Sequence, residues 1–446
     1  MDGARRIIYV PLENRVREFD ARLLLALRAA SANFQVLLGP KWMHSLNAEG
    51  YPRGIFITKT LNKIDAADLR RAGGAGHALV AWDEEGPGQI VPEIYLKGID
   101  DEAMGLVGRI YAWGGHQARA LGRKYPAAKA NIQTLGNPRW DLLRPEYRGY
   151  FAPEAAAIRA RFGRFILINT NFSSYNAWHP DGAKEIATLA DETGAFKKDD
   201  EADQQVLSDI IEFEKQTFHH YAEMLPALSA AFPDHSIVVR PHPTENHERW
   251  HALTAPYPNV KTVYEGTVIP WLLAAEAVIQ NSCTTGVEAL TLGRPVISYC
   301  KTDSPLQEWH LANQVCYRVH DEASLIESLK KFIANPPMFG EANAAGRRTL
   351  AKHISCLAGE TSTEAIVKSL ISYANKYEKQ ATKLARTMTM AEGFKPYPVN
   401  KYRRLKLPII SAADVQERVI RITKLHPDIA TVTISHIAES AFYFRR

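Results

Sequence analysis

The stretch VIQNSCTTGVEALTLGRPVISY, residues 278–299, decides the fold. A short apolar run ends at a polar turn, Asn281-Ser282-Cys283-Thr284-Thr285. Helical spacing follows in TTGVEALTLG, then Gly293-Arg294-Pro295, then a second apolar run, PVISY. Strand, helix and strand in so few residues make a crossover unit, which joins parallel strands. The turn has two readings. Ser and Thr before a helix cap its first N–H groups. The same N–H groups, with the helix dipole, bind an anion. One hydroxyl is enough for a cap. Ser282, Thr284 and Thr285 together, with Gly286 beside them and Glu288 one turn in, exceed that need.

The rhythm extends outward in both directions. RFILINTN, HSIVVRPHP, VKTVYEG, AVIQNS, PVISY and QVCYRV read as strands. Helical patterns separate most of them, the longest over roughly 203–232. Earlier in the chain RIIYVPL, FQVLLG, GIFITKT, HALVAW, RIYAWG and NIQTLGN repeat the scheme. Near-continuous apolar strands alternating with helices indicate parallel sheets covered on both faces. The pattern breaks at RPEYRGYFAPEAAA, residues 144–157, where Pro and Gly cluster. The expected fold is therefore α/β: two tandem Rossmann-like domains, 1–145 and 158–370, with a cleft between them. A mainly helical, basic C-terminal extension occupies 371–446.

The totals are those of a soluble globular protein. Of 446 residues, 46% are hydrophobic and 23% charged, too balanced for a disordered chain. A net charge of +5 is mild for this size and argues against a nucleic-acid binder, whose basic residues cluster more densely. No apolar run approaches the ~20 residues of a membrane span. MDGARRIIYVPLENR lacks the pattern of a signal peptide. Cys283, Cys300, Cys316 and Cys356 are scattered without CxxC spacing, as expected of free thiols in a reducing cytoplasm. The stretch NKYRRLKLPIISAADVQERVIRITKL reads first as a solvated surface helix. Peripheral contact with an anionic membrane is the sharper reading.

Ligands of such sheets bind beyond the carboxyl ends of the strands. The residues there are the candidates. In VVRPHPTEN, Pro241 and Pro243 hold His242 in an extended segment, where it can donate to a phosphate, and Arg240 can add a bidentate contact. In ALVAWDEEGPGQ, Asp83, Glu84 and Glu85 follow a strand. Their repulsion would raise the pKa of at least one, as a general base requires. Glu13, Asp20, Asn137, Asn169, Asn171 and Glu265 are weaker strand-end candidates, and each could equally serve its turn. HERWH at 247–251 fits the H-E-x-x-H zinc pattern. It opens a short helix that APYPNV soon ends, so surface residues on a crossover helix are the better reading. No phosphate-binding P-loop and no GxGxxG after a strand occurs.

RPHP, the Ser/Thr turn and the acidic-acidic-Gly motif together resemble bacterial glycosyltransferases of the GT-B fold that use CMP-activated acidic sugars. These include bacterial sialyltransferases and capsule Kdo transferases. ENRVREFDARLLLA, WDEEG, GNPRWD, INTNF, RPHP and NSCTTGVEAL are similar to the group of surface carbohydrate biosynthesis proteins, over roughly residues 5–370. The resemblance implies His242 on the donor's phosphate and Ser282, Thr284 or Thr285 on the phosphate or nucleotide; Arg240, Glu265 and Asn281 join the expected donor site by their places at strand ends. The resemblance also implies Glu84 or Glu85 as the base that deprotonates an acceptor hydroxyl. It implies a nucleotide-sugar co-substrate, CMP-linked in preference to UDP-linked, and a glycan or lipid-linked glycan acceptor. A His, hydroxyls and helix N–H groups can take a metal's place at the phosphate, so no obligatory metal is expected. Ser-Cys-Thr-Thr replaces the paired serines of the family, so the contacting hydroxyl is open. A UDP-sugar transferase or sugar-nucleotide 2-epimerase of the same fold is the alternative, followed by a zinc hydrolase and a non-catalytic assembly component.

Overall fold

A computed structural model describes residues 6–84, 91–178, 182–381, 401–429 and 431–446. The chain divides into two compact units. The first comprises the described residues of Met1–Gly86, Ile99–Tyr150 and Ile354–Arg446; the second comprises those of Pro87–Gly98 and Phe151–His353.

The first unit is built on an eight-stranded sheet in the order β13-β14-β2-β1-β3-β4-β5-β6. Its strands are β1 (Arg6–Leu12), β2 (Phe34–Pro40), β3 (Ile55–Thr58), β4 (Ala78–Trp82), β5 (Arg109–Ala112), β6 (Ile132–Thr134), β13 (Thr433–Ala438) and β14 (Ala441–Arg445). β1 to β6 pair in parallel. Their centre is apolar on both faces: every residue of β3 and β4 is buried. Helix Arg15–Ser31 covers the sheet, with Leu23, Leu24, Leu25 and Leu27 buried.

GNPRWD acts structurally in this unit. Asp141 is fully buried and accepts from the N–H groups of Ser362 (2.8 Å) and Thr363 (2.7 Å) and from Thr363 Oγ1 (2.6 Å). It thereby anchors the first turn of helix Ser362–Ala381. Burial pushes the Asp141 carboxyl up to about 6 against the pull of those three bonds. Gly136, at φ +72°, lets the backbone approach the returning segment, because a Cβ there would lie 2.8 Å from the Ser355 carbonyl. This anchoring is why the described residues from Ile354 onward belong to the first unit, whereas the sequence pattern extended the second domain to 370.

The C-terminal segment contains more than the expected helices. Helix Ala412–Leu425 starts at a capping box formed by Ser411 and Asp414. After it, β13 and β14 form a hairpin that adds antiparallel to the edge of β2. Ala441, Phe442 and Phe444 are buried there. Short alternating strands of this kind become legible only once a sheet edge receives them. Several basic groups of this segment are paired within the unit: Lys406 with Glu13, Arg404 with Glu439, and Arg418 with Asp20. No described helix is long and apolar enough to cross a membrane.

The second unit carries a six-stranded parallel sheet in the order β12-β11-β10-β7-β8-β9. The strands are β7 (Phe165–Asn169), β8 (Ser236–Arg240), β9 (Val260–Thr262), β10 (Ala277–Gln280), β11 (Val296–Tyr299) and β12 (Tyr317–Val319). β7 is wholly buried. From β7 the chain runs outward through β8 and β9, then crosses back to β10 and runs outward through β11 and β12. The direction reverses between β7 and β10, which makes their carboxyl ends the topological switch point. QVCYRV is not one strand: a short helix, Leu311–Val315, precedes β12 and buries Asn313.

Candidate functional site

The carboxyl ends of β8, β7 and β10 lie side by side. Register aligns Arg240 with Asn169 and Asn169 with Gln280, so the three side chains share one face of the sheet. Gln280 turns outward. Its Oε1 accepts from the Cys283 N–H at 3.0 Å, and its Nε2 donates to Ser298 Oγ. Arg240 turns the other way. Its Nη2 donates to the Gly266 carbonyl at 2.7 Å, and its guanidinium lies 4.8 Å from the centre of the Tyr264 ring. Asn169, between them, is 2% exposed, and neither its Oδ1 nor its Nδ2 has a hydrogen-bond partner.

The turn after β10 is shaped by its own polar groups. Ser282 adopts φ +56°, a left-handed conformation that L residues rarely hold. Asn313 stabilises it: its Oδ1 accepts the Ser282 N–H at 2.9 Å, and its Nδ2 donates to Ser282 Oγ at 3.2 Å. Ser282 Oγ in turn donates to Asn281 Oδ1 at 2.7 Å. Asn281 is buried and donates to the Tyr299 carbonyl at 2.8 Å. Asn171, beyond β7, donates to the Ser282 carbonyl at 3.4 Å and bridges the switch point.

Helix Thr284–Thr291 begins here, and no side chain caps it. Thr285 Oγ1 donates to Cys283 Sγ, and Thr284 is exposed. The hydroxyl-rich turn therefore does not serve capping, and the capping alternative for it falls. Gly286 is required for a different reason: a Cβ would meet the Gln280 side chain at 2.7 Å, so it sets the close approach of helix to strand. Burial raises the Cys283 thiol above its ordinary value, which leaves it a neutral packing group.

His242 is held by two hydroxyls. Its Nδ1 lies 3.1 Å from Ser173 Oγ and 2.7 Å from Thr244 Oγ1, and the Thr244 N–H points at it from 3.4 Å. A backbone N–H can only donate, so this contact favours Nδ1 as an acceptor, which in a neutral ring puts the proton on Nε2. Glu265 stands apart. Its side chain pairs with Arg161 on the surface, and its backbone carbonyl accepts from Trp271 Nε1. His247 Nε2 contacts the His242 carbonyl at 3.0 Å. Among the described residues no group of three or more His, Cys, Asp or Glu side chains could hold a metal ion, so HERWH has no third ligand there.

The described candidates of the first unit go to structural partners. Glu84 is 4% exposed, and its Oε1 pairs with the buried Arg22 and accepts from Asn137 Nδ2 at 3.4 Å. Arg22 stacks 3.8 Å over Trp82. The buried Arg22 guanidinium is thus a direct ionic partner of Glu84. Glu85 lies outside the described residues. Glu13 pairs with Lys59 (2.9 Å) and Lys406 (3.1 Å). Burial pushes its carboxyl up, but the two ammonium groups draw it down to about 2. Asp20 accepts from Tyr150 (2.6 Å) and Arg418 (2.8 Å) and anchors the C-terminal helix. Asn137 caps the turn Pro138–Asp141.

No family model matches the chain, and no curated protein matches it. Among solved structures it is similar to UDP-GlcNAc 2-epimerase from Neisseria meningitidis bound to UDP-GlcNAc. That likeness has 12% identity over 83% of this chain and 100% of the other, with a TM-score of 0.50. A variant of the wall teichoic acid polymerase TagF is similar at 9% identity, over 84% and 90% of the two chains, with a TM-score of 0.50. The fold is GT-B-like. At these identities the likeness speaks of fold alone.

Sequence reading singled out Thr244 but missed Ser173, Glu245 and Asn313. Thr244 and Glu245 stand within two or three residues of His242 and were legible as neighbours. Ser173 and Asn313 reach the site from other loops, and no local pattern marks them.

Proposed function

We propose that the protein is a glycosyltransferase of surface-polymer assembly that transfers a sugar from a nucleotide-activated donor to a glycan hydroxyl. One observation carries the reading: His242 and an uncapped helix N-terminus flank β7 at the switch point of the second sheet. Both can donate hydrogen bonds to a phosphate. Departure of a nucleotide requires negative charge to be stabilised as it develops on the phosphate, and prealigned donors do this best. His242 Nε2–H and the first N–H groups of helix Thr284–Thr291 are the assigned donors, with Asn169 and Arg240 beneath them. In this reading Ser282 shapes the turn, whereas Thr284 and Thr285 face the ligand. The base role falls to Glu85, since Glu84 is tied to Arg22.

The donor is a CMP-activated acidic sugar in this proposal, on the strength of the motif set, and a UDP-sugar is the competing donor. Thermal-shift measurements with CMP-, UDP- and GDP-linked sugars separate the two, and stabilisation by UDP compounds alone replaces the donor assignment. His242→Ala is expected to weaken donor binding about 10- to 100-fold, the worth of one hydrogen bond to a charged group. Unchanged affinity in that variant removes the phosphate role.

A further inference from the structure

We propose that Glu245 is a positioning residue for His242, a role that rests on the reading of His242 as the phosphate contact. Glu245 is 1% exposed. Its carboxylate receives four donors from three different segments. Oε1 accepts the His242 N–H at 3.0 Å and Thr170 Oγ1 at 2.5 Å. Oε2 accepts Trp250 Nε1 at 2.8 Å and Asn176 Nδ2 at 3.2 Å. The Glu245 N–H donates back to the His242 carbonyl at 3.0 Å, which closes the turn His242-Pro243-Thr244-Glu245 on itself.

The loop after β7 is fastened to the same turn. The Trp178 N–H donates to the Thr244 carbonyl at 3.0 Å, the Asn246 N–H donates to the Asn176 carbonyl at 2.6 Å, and Ala177 bridges Glu245 antiparallel. That loop carries Ser173, one of the two hydroxyls at His242 Nδ1. One carboxylate therefore fixes both the backbone of His242 and the loop that supplies a ring partner. Only a carboxylate suits the position. It offers acceptor sites on both oxygens and no donor, whereas a glutamine would set an N–H₂ against the His242 N–H or the Trp250 Nε1–H.

The test reads the His242 ring directly. In protein labelled with ¹⁵N-histidine, the wild type is expected to show His242 as a single Nε2–H tautomer without any ligand. Glu245→Gln is expected to give averaged ring nitrogens and to weaken donor-nucleotide binding at least about tenfold. Thr170→Val removes a different donor from the same carboxylate. It is expected to lower the melting temperature yet leave the His242 tautomer intact, which separates positioning from general loosening. Should Glu245→Gln fail to fold, Glu245→Asp keeps the charge but is one methylene short of the four donors, and the same ring averaging is expected. A folded Glu245→Gln or Glu245→Asp protein with a single unchanged tautomer and unchanged CMP or UDP affinity overturns the proposal. A wild type that binds neither nucleotide overturns the phosphate reading instead, and the tautomer measurement then decides the positioning role by itself.

Discussion

Replacing Asn169 by leucine should make the protein more stable. The carboxamide is 2% exposed on the central strand of the second sheet, and both of its polar atoms lack partners. Its register neighbours are committed elsewhere, Gln280 to Cys283 and Ser298, and Arg240 to Gly266. An unsatisfied buried polar group costs about 1–3 kcal/mol, and an apolar group of similar shape removes that cost. For a unit of about 150–250 residues each kcal/mol moves the midpoint by about 2–4 °C, so Asn169→Leu should raise Tm by about 2–12 °C. Circular dichroism melts of wild type and variant, without ligand, measure it. Nucleotide titration of the same samples should show weaker binding if the carboxamide serves the donor: stability up, affinity down. A lower Tm in the leucine variant refutes the reasoning, because it would mean that a buried water already satisfies the carboxamide.

Two further outcomes follow from carboxylates held by hydrogen bonds or an ion pair. Glu214 accepts from the Ser174 N–H (2.7 Å), Ser174 Oγ (2.9 Å) and the Tyr175 N–H (3.2 Å), and burial lifts its carboxyl from 4.5 to about 7. A carboxyl raised on folding binds its proton more tightly in the folded state. Its stabilising contribution is full below pH 4.5 and is lost as pH rises through about 7, a span worth about 3 kcal/mol. Glu214→Gln should flatten the Tm-versus-pH curve between those limits, and a curve identical to wild type would refute the assignment. Glu84→Ala should destabilise the first unit by about 3–5 kcal/mol by stranding the buried Arg22, as measured by denaturant melts. A loss of transfer activity with no loss of stability would instead restore Glu84 as the base.

Much of the second sheet was legible because its strands are short apolar runs and its helices have clear periods. The linked motifs RPHP and NSCTTG were visible as strand ends for the same reason. What they do was not. The Ser/Thr turn looked like a cap or a cradle, and only the orientation of Thr285 toward Cys283 and of Ser282 toward Asn281 shows that no hydroxyl caps the helix. DEEG read as repelling carboxylates or as a solvated acidic turn, and the partner of Glu84 was hidden because Arg22 is 62 positions away. GNPRWD read as a cleft-facing strand end or as turn chemistry, and its anchoring role was hidden because the segment it holds begins 221 positions after Asp141.

The sequence by itself determined most element types, the parallel cores of both sheets and the strand ends from β1 to β11, but neither the hairpin β13–β14 nor the helix inside QVCYRV. Local propensity and hydrophobic period encode these, and both act over a few residues. Strand order was decided only in three dimensions. Along the chain, β9 intervenes between β8 and β10; in the sheet, β7 does. The crossover back past β7 puts His242 and the Ser282 turn on either side of one strand and leaves Asn169 unpartnered between them. That placement depends on which edges bury the most apolar surface together, a sum over the whole unit that no short stretch records.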